Sequence, residues 1–330
     1  MDPRLSNELH ARGLISGDSL QKIAAVEKAR LFSLHWELKT LLYLGVLLLS
    51  GGLGILVYKN IDSIGHQAVV TFIALVCAGC YYYCIRNKAP FSPGKLQPPN
   101  AFFDYVLLLG CLSFITFIGY LQFQYGVFGD AYGLATFIPM VVLFCSAYFF
   151  DHLGILSLAI TNLAAWMGIV VTPLHILKAN DFDNARLIYT GLALGGFLVL
   201  AGLASEKRDF KKHFAFTYTH FAVHILFISG LAGLFHFDGA YLAWFVLVAG
   251  LALYFYRRAL KMPSFYFLLL VVIYTYIALS YTVVQLIYKI SVHGGEGALY
   301  IMILYFIISA IAVVRLLIHL NRKIKGHDSL

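Results

Sequence analysis

The chain has 330 residues, of which 61% are hydrophobic and 12% charged, against about 45–50% and about 25% in soluble domains. A membrane helix takes about 20 residues, so this apolar content supplies roughly ten spans and leaves no room for a large soluble domain. The ordinary soluble enzyme and the secreted disulfide scaffold are excluded, and the net charge of +8 must be tested against the positive-inside rule before it is assigned to nucleic acid.

Residues 1–38 are expected to form a cytosolic N-terminal helical segment. Leu5 and Leu9 share one helical face, and Gly13 stands where a first helix would end. Asp18 or Ser19 can cap a second helix, with Leu20, Ile23, Ala24 and Leu31 as its apolar stripe. About 37 mostly polar residues precede the first apolar run, so no cleavable signal peptide is expected. This preface is the natural docking element for a membrane or cytosolic protein partner.

Residues 39–330 read as an all-α, polytopic bundle of about ten spans. These are Thr40 to Tyr58, Gln67 to Ile85, Ala101 to Tyr120, Ala131 to Phe149, Leu153 to Thr172, Leu187 to Ala204, Ala215 to Phe235, Ala240 to Tyr256, Phe265 to Tyr288 and Ala298 to Ile318. Between the second and third spans, the linker 86–100 holds Pro90, Pro93, Pro98 and Pro99, half of the chain's 8 prolines, and cannot be helical. Asp151 and His152 must reverse the chain between two spans, which predicts a tight hairpin. With the N-terminus inside, only Lys59, Lys178, Arg186 and Lys289 of the 24 basic residues lie outside. That asymmetry supports ten spans with both termini cytoplasmic, and it accounts for the positive charge without nucleic acid.

Several side-chain patterns admit a chemical and a packing reading. Gly51, Gly52 and Gly54 in the first span, and Gly191, Gly195, Gly196 and Gly202 in the sixth, have the small-xxx-small spacing of closely packed helices; no strand and no Lys-Ser/Thr accompany them as a phosphate loop would require. His213, Thr217, His220 and His224 follow at intervals of 4, 3 and 4 near the start of the seventh span. A polar stripe against a neighbouring helix is the first reading of these residues; the alternatives are imidazoles that hold a metal or haem iron, or a proton relay. Cys77, Cys80 and Cys84 resemble a redox or metal spacing but fall among residues suited to packing, and all five cysteines lie in apolar segments.

Asp104 in the third span is a candidate because intramembrane acids are costly. Asp151 with His152 could form a charge-coupled pair or a plain turn, and Gln122, Gln124 and Asp130 would gather at the external mouth as caps or solute ligands. Interior tyrosines such as Tyr274 and Tyr276 need hydrogen-bond partners or a wet cavity. No H-E-x-x-H, G-x-S-x-G or Walker motif is present, so no enzyme class and no cofactor is indicated beyond metal or haem at the histidines.

The stretch from Leu9 to Leu20, with Gly13, Leu14, Ile15 and Ser16 at its centre, resembles the opening of the bacterial membrane-protein family known as domain of unknown function 2157. The element Gln122, Gln124, Tyr125, Gly129 and Asp130 is similar to that family's Gln-x-Tyr-x-x-x-Gly-Asp element, and Tyr148 through Trp166 to its following hairpin. The resemblance spans roughly residues 5–170. It implies a multi-span inner-membrane protein and brings no catalytic residues with it. The functional expectation is a membrane protein that binds or transports a small solute. The alternatives are an intramembrane metal or haem redox enzyme using His213, His220 and His224, and a structural or assembly protein.

Overall fold

The computed structural model describes residues 10, 12–14, 16–20, 35–59, 65–100, 102–171, 184–261, 264–290 and 296–327. Among them every regular element is helical and no strand occurs. The chain divides into two compact units, 1–64 and 65–330.

The expected N-terminal segment 1–38 lies largely outside the described residues. Where it is described, Gly13 adopts φ +74 and bonds back to His10, as a helix terminator should. The next cap falls on Ser16, whose hydroxyl accepts from the Ser19 N–H, and not on Asp18 or Ser19. The long helix of this unit, α1, runs His35–Lys59.

Among the described residues the second unit contains nine α-helices: α2 (His66–Asn87), α3 (Phe103–Tyr125), α4 (Tyr132–Phe150), α5 (Leu153–Val171), α6 (Ala185–Lys207), α7 (Phe214–His236), α8 (Tyr241–Lys261), α9 (Phe265–Ile290) and α10 (Glu296–His327), with a 3-10 turn Asp238–Ala240 before α8. Among the described residues, eight stretches are long and apolar enough to cross a membrane: α2, α3, α4, α6, α7, α8 with its preceding turn, α9 and α10. Shorter apolar stretches occur in α1 (Thr40–Leu49) and α5 (Leu153–Gly168).

Local chemistry sets the helix ends. The chain turns extended at Lys88 as it enters the Pro-rich linker, and Asn100 starts α3 by accepting from the backbone N–H groups of Phe102 and Phe103. Helix α3 continues to Tyr125, past the expected Tyr120, until Gly126 takes the left-handed conformation. Asn184 caps α6 through its side-chain oxygen on the Arg186 N–H.

Gly191, Gly195 and Gly202 of the sixth span do what their spacing suggests, whereas among the described residues nothing stands within 4 Å of a side-chain carbon at Gly196, Gly51, Gly52 or Gly54. A side-chain carbon at Gly195 would come within 2.8 Å of Leu226 Cδ2, and one at Gly202 would touch Tyr218 and Thr219 at 3.4 Å. Helices α6 and α7 therefore pack backbone to backbone, and they stand between two apolar cores. On one side lie Leu107, Leu143, Ile155, Leu198 and Phe214; on the other are Ile188, Phe227, Val248, Phe255 and Leu268.

Candidate functional site

Polar side chains concentrate where the Pro-rich linker, the α4–α5 turn and the α6–α7 connection meet, here called the linker end. Asp151 terminates α4 at φ +59, a left-handed conformation that Asp tolerates better than most residues. Its carboxylate is 1% exposed and collects three donors. Lys211 Nζ lies 2.9 Å from Oδ1, His213 Nε2 lies 2.8 Å from the same oxygen, and the Leu96 N–H donates to Oδ2 at 2.6 Å.

Lys211 is wholly buried and also has positive φ, +50. Its N–H donates to Pro93 O at 2.8 Å, its ammonium reaches Gly94 O at 3.5 Å, and Phe91 lies under that ammonium at 5.1 Å. Ser205, near the end of α6, donates to the carbonyls of Phe210 and Lys211. Tyr148 stacks on Phe210 and shares a 2.8 Å hydrogen bond with Tyr218. Every buried charge in this clasp is thus paired and hydrogen-bonded, as burial demands. The bonds fasten the linker across the ends of α4 to α7.

His152 sits beside the clasp and is largely buried. Its Nδ1 accepts from the Ile155 N–H and so caps α5, which places the ring proton on Nε2, 3.8 Å from Asp104 Oδ1. Asp104, Asp151, His152 and His213 are therefore neighbours at one end of the bundle.

Gln122, Gln124 and Asp130 are elsewhere. Gln122 closes the α3–α4 loop by donating to Gly129 O and accepting from the Phe128 N–H, both at 2.9 Å. That is the capping role. Gln124 and Asp130 are exposed beside it.

The histidine stripe divides. Helix α7 begins at Phe214, so His213 precedes it and turns to Asp151. His220 and His224 lie with ring centroids 5.0 Å apart. Tyr266 on α9 hydrogen-bonds to His220 Nδ1 and His224 Nε2, both at 3.0 Å, and Tyr274 bonds to His224 Nδ1 at 2.7 Å. His213 thus stands apart from the other two as a ligand. Among the described residues, no group of three or more His, Cys, Asp or Glu side chains is arranged to hold a metal ion. The five cysteines are free thiols; Cys77 donates to Gly110 O, and Cys111 pairs with the Tyr81 hydroxyl.

Next to the clasp, α7, α8 and α9 line a half-open cavity of about 410 Å³. Phe216, Phe255 and Phe267 supply aromatic wall, and Thr219, Arg258 and Ser264 supply polar groups. Arg258 Nη2 binds Glu206 Oε1 at 2.5 Å and Thr219 Oγ1 at 3.2 Å. Glu206 directly follows Ser205 of the clasp, so one turn of α6 serves both sites.

Residues 7–156 match the model of a family described as predicted membrane protein (DUF2157). The matched segment ends at the α4–α5 hairpin, so it contains Asp104, Asp151 and His152 and excludes the cavity. No curated protein matches the chain, and no solved structure does.

Sequence reasoning missed Lys211, Glu206 and Arg258 because each reads as an ordinary charge at a helix end. The available signal was partial: Asp151 stands in a short turn among apolar residues and requires a cation once buried, and the helix order brings Lys211 and Arg258 to the same end.

Proposed function

We propose that this chain is a ten-span protein of the bacterial inner membrane, with both termini in the cytoplasm, that binds a small solute in the cavity between α7, α8 and α9. The length of α1, 25 residues, and of α5, 19 residues, supports counting them as spans beside the other eight. The gathering of basic residues at one end supports the orientation.

The cavity carries the binding reading. Its volume of about 410 Å³ falls within the roughly 300–1,000 Å³ of small-molecule sites, which are likewise mostly apolar with a few converging polar groups. Arg258, held by Glu206 and Thr219, supplies that polar end. The clasp steadies the site from below by fixing the α6–α7 connection. Residues 1–38 would remain available to a protein partner.

A thermal-shift screen of small polar and amphipathic solutes on detergent-purified protein tests the reading. Phe216, exposed at the cavity wall, is enlarged in Phe216→Trp. A solute that stabilises the wild type should lose most of that effect in the variant, because stabilisation follows bound ligand. If no stabilising solute depends on Phe216, the cavity is not the binding site. For orientation, single cysteines at Lys178 and at Lys212 should react with an impermeant maleimide from opposite sides of the membrane; labelling of both from one side rejects the ten-span arrangement.

A further inference from the structure

We propose that the occupant of the α7–α9 cavity is an anionic phospholipid of the leaflet at the linker end, its phosphate bound by Arg258 and the first part of its acyl chain lying between Phe216, Phe255 and Phe267. The proposal rests on the solute-binding reading above and names the ligand class.

The depth is right for a headgroup. Arg258 lies three residues before the end of α8 at Lys261, or about 5 Å along the axis at 1.5 Å per residue. Thr219 is at a similar height near the start of α7, and Ser264 immediately precedes α9. The polar groups of the cavity therefore share one interfacial level, while Phe255 and Phe267 continue the wall toward the apolar core, to which both belong. That is the polarity gradient of a phospholipid.

The donors are also right. A guanidinium offers five N–H donors in a planar fork suited to phosphate. Both bonds that hold Arg258 are made by Nη2, to Glu206 and Thr219. The Nε and Nη1 donors are left for an anion, and the Arg258 side chain, 14% exposed, is positioned without being closed off. The Ser264 hydroxyl, also on the cavity wall, adds a further donor.

Charge complementarity selects an anionic lipid over a zwitterionic one. Glu206 neutralises Arg258, but Lys207 and Arg208 directly follow Glu206 and Arg257 directly precedes Arg258, and these three exposed cations outnumber the exposed Asp209 beside them. Exposed cations next in sequence to the residues of an inter-helix pocket at the membrane surface attract anionic headgroups, each adding to the attraction.

The test uses the full chain in nanodiscs containing equal amounts of phosphatidylglycerol and phosphatidylcholine, released for native mass spectrometry so that retained lipid is counted per protein. The wild type should retain one phosphatidylglycerol with about tenfold preference over phosphatidylcholine. Arg258→Gln, which keeps a hydrogen-bond partner for Glu206, should bring the two lipids to parity, and Arg258→Lys should keep part of the preference. Phe216→Trp should lower retention of both. Equal retention of the two lipids by the wild type, still reduced by Phe216→Trp, overturns the anionic-lipid assignment and leaves the cavity as a binding site. Retention that no variant changes overturns both. Adding inorganic phosphate separates the sources: displacement of phosphatidylglycerol at equimolar phosphate assigns the site to a free anion and overturns the lipid proposal.

Discussion

Lys211 and Asp151 form a 2.9 Å ion pair in which the lysine side chain is 0% and the aspartate 1% exposed. A pair so far removed from water is held in place by the cost of breaking it, since a lone buried charge is far less tolerable than a matched one. Lys211→Met should therefore destabilise the protein by about 3–5 kcal/mol. Lys211→Met/Asp151→Asn, which removes both charges and keeps a residue tolerant of positive φ, should recover most of that loss. Thermal aggregation midpoints of the two variants in one detergent decide it; a double variant no better than the single would show that the charge is not what Lys211 contributes.

Helices α6 and α7 give a second expectation. Gly195→Leu places a side chain where Leu226 already lies, whereas nothing stands within 4 Å of a side-chain carbon at Gly196. Overpacking costs about 1–3 kcal/mol, so Gly195→Leu should lower the melting midpoint and Gly196→Leu should not. Equal effects would mean that helix propensity, and not contact, controls both sites.

The Tyr148–Tyr218 hydrogen bond at 2.8 Å ties α4 to α7. Either single change to Phe leaves one hydroxyl without that partner and should cost about 1–3 kcal/mol. The double change should cost less than the sum of the two. A double-mutant cycle on unfolding midpoints measures the coupling, and strict additivity would show that the two hydroxyls do not depend on each other.

Thiol labelling probes the packing directly. Cys145 is exposed on α4, while Cys77, Cys84 and Cys111 are buried. A membrane-permeant maleimide should label native protein at Cys145 well before those three, with mass spectrometry of the peptides as readout. Rapid modification of Cys111 would contradict the α2–α3–α4 packing.

The helical architecture was legible because long apolar stretches punctuated by Pro, Gly and Asn have few alternatives in a bilayer. The sixth-span glycines and the capping role of Gln122 were legible for the same reason: both are local patterns. The site was legible only in pieces. Asp151 and His152 stand out as an acid and an imidazole in a short turn, but the buried environment of Lys211 arises from Phe91, Pro93 and Gly94, remote in sequence. Arg258 is similarly defined by Glu206 on another helix. His213 shows the opposite failure: its spacing fits the stripe of His220 and His224, yet helical periodicity has no force one residue before the helix begins.

The clasp also sets an order of events in synthesis. Gly94 and Lys211 are 117 positions apart, which at about 5–20 residues per second is roughly 6–23 s of translation. Throughout that interval the linker has emerged without its cation, and Asp151 follows it still unpaired. Fastening awaits the segment between α6 and α7, so the nascent chain locks its early hairpins only after the sixth helix has been made.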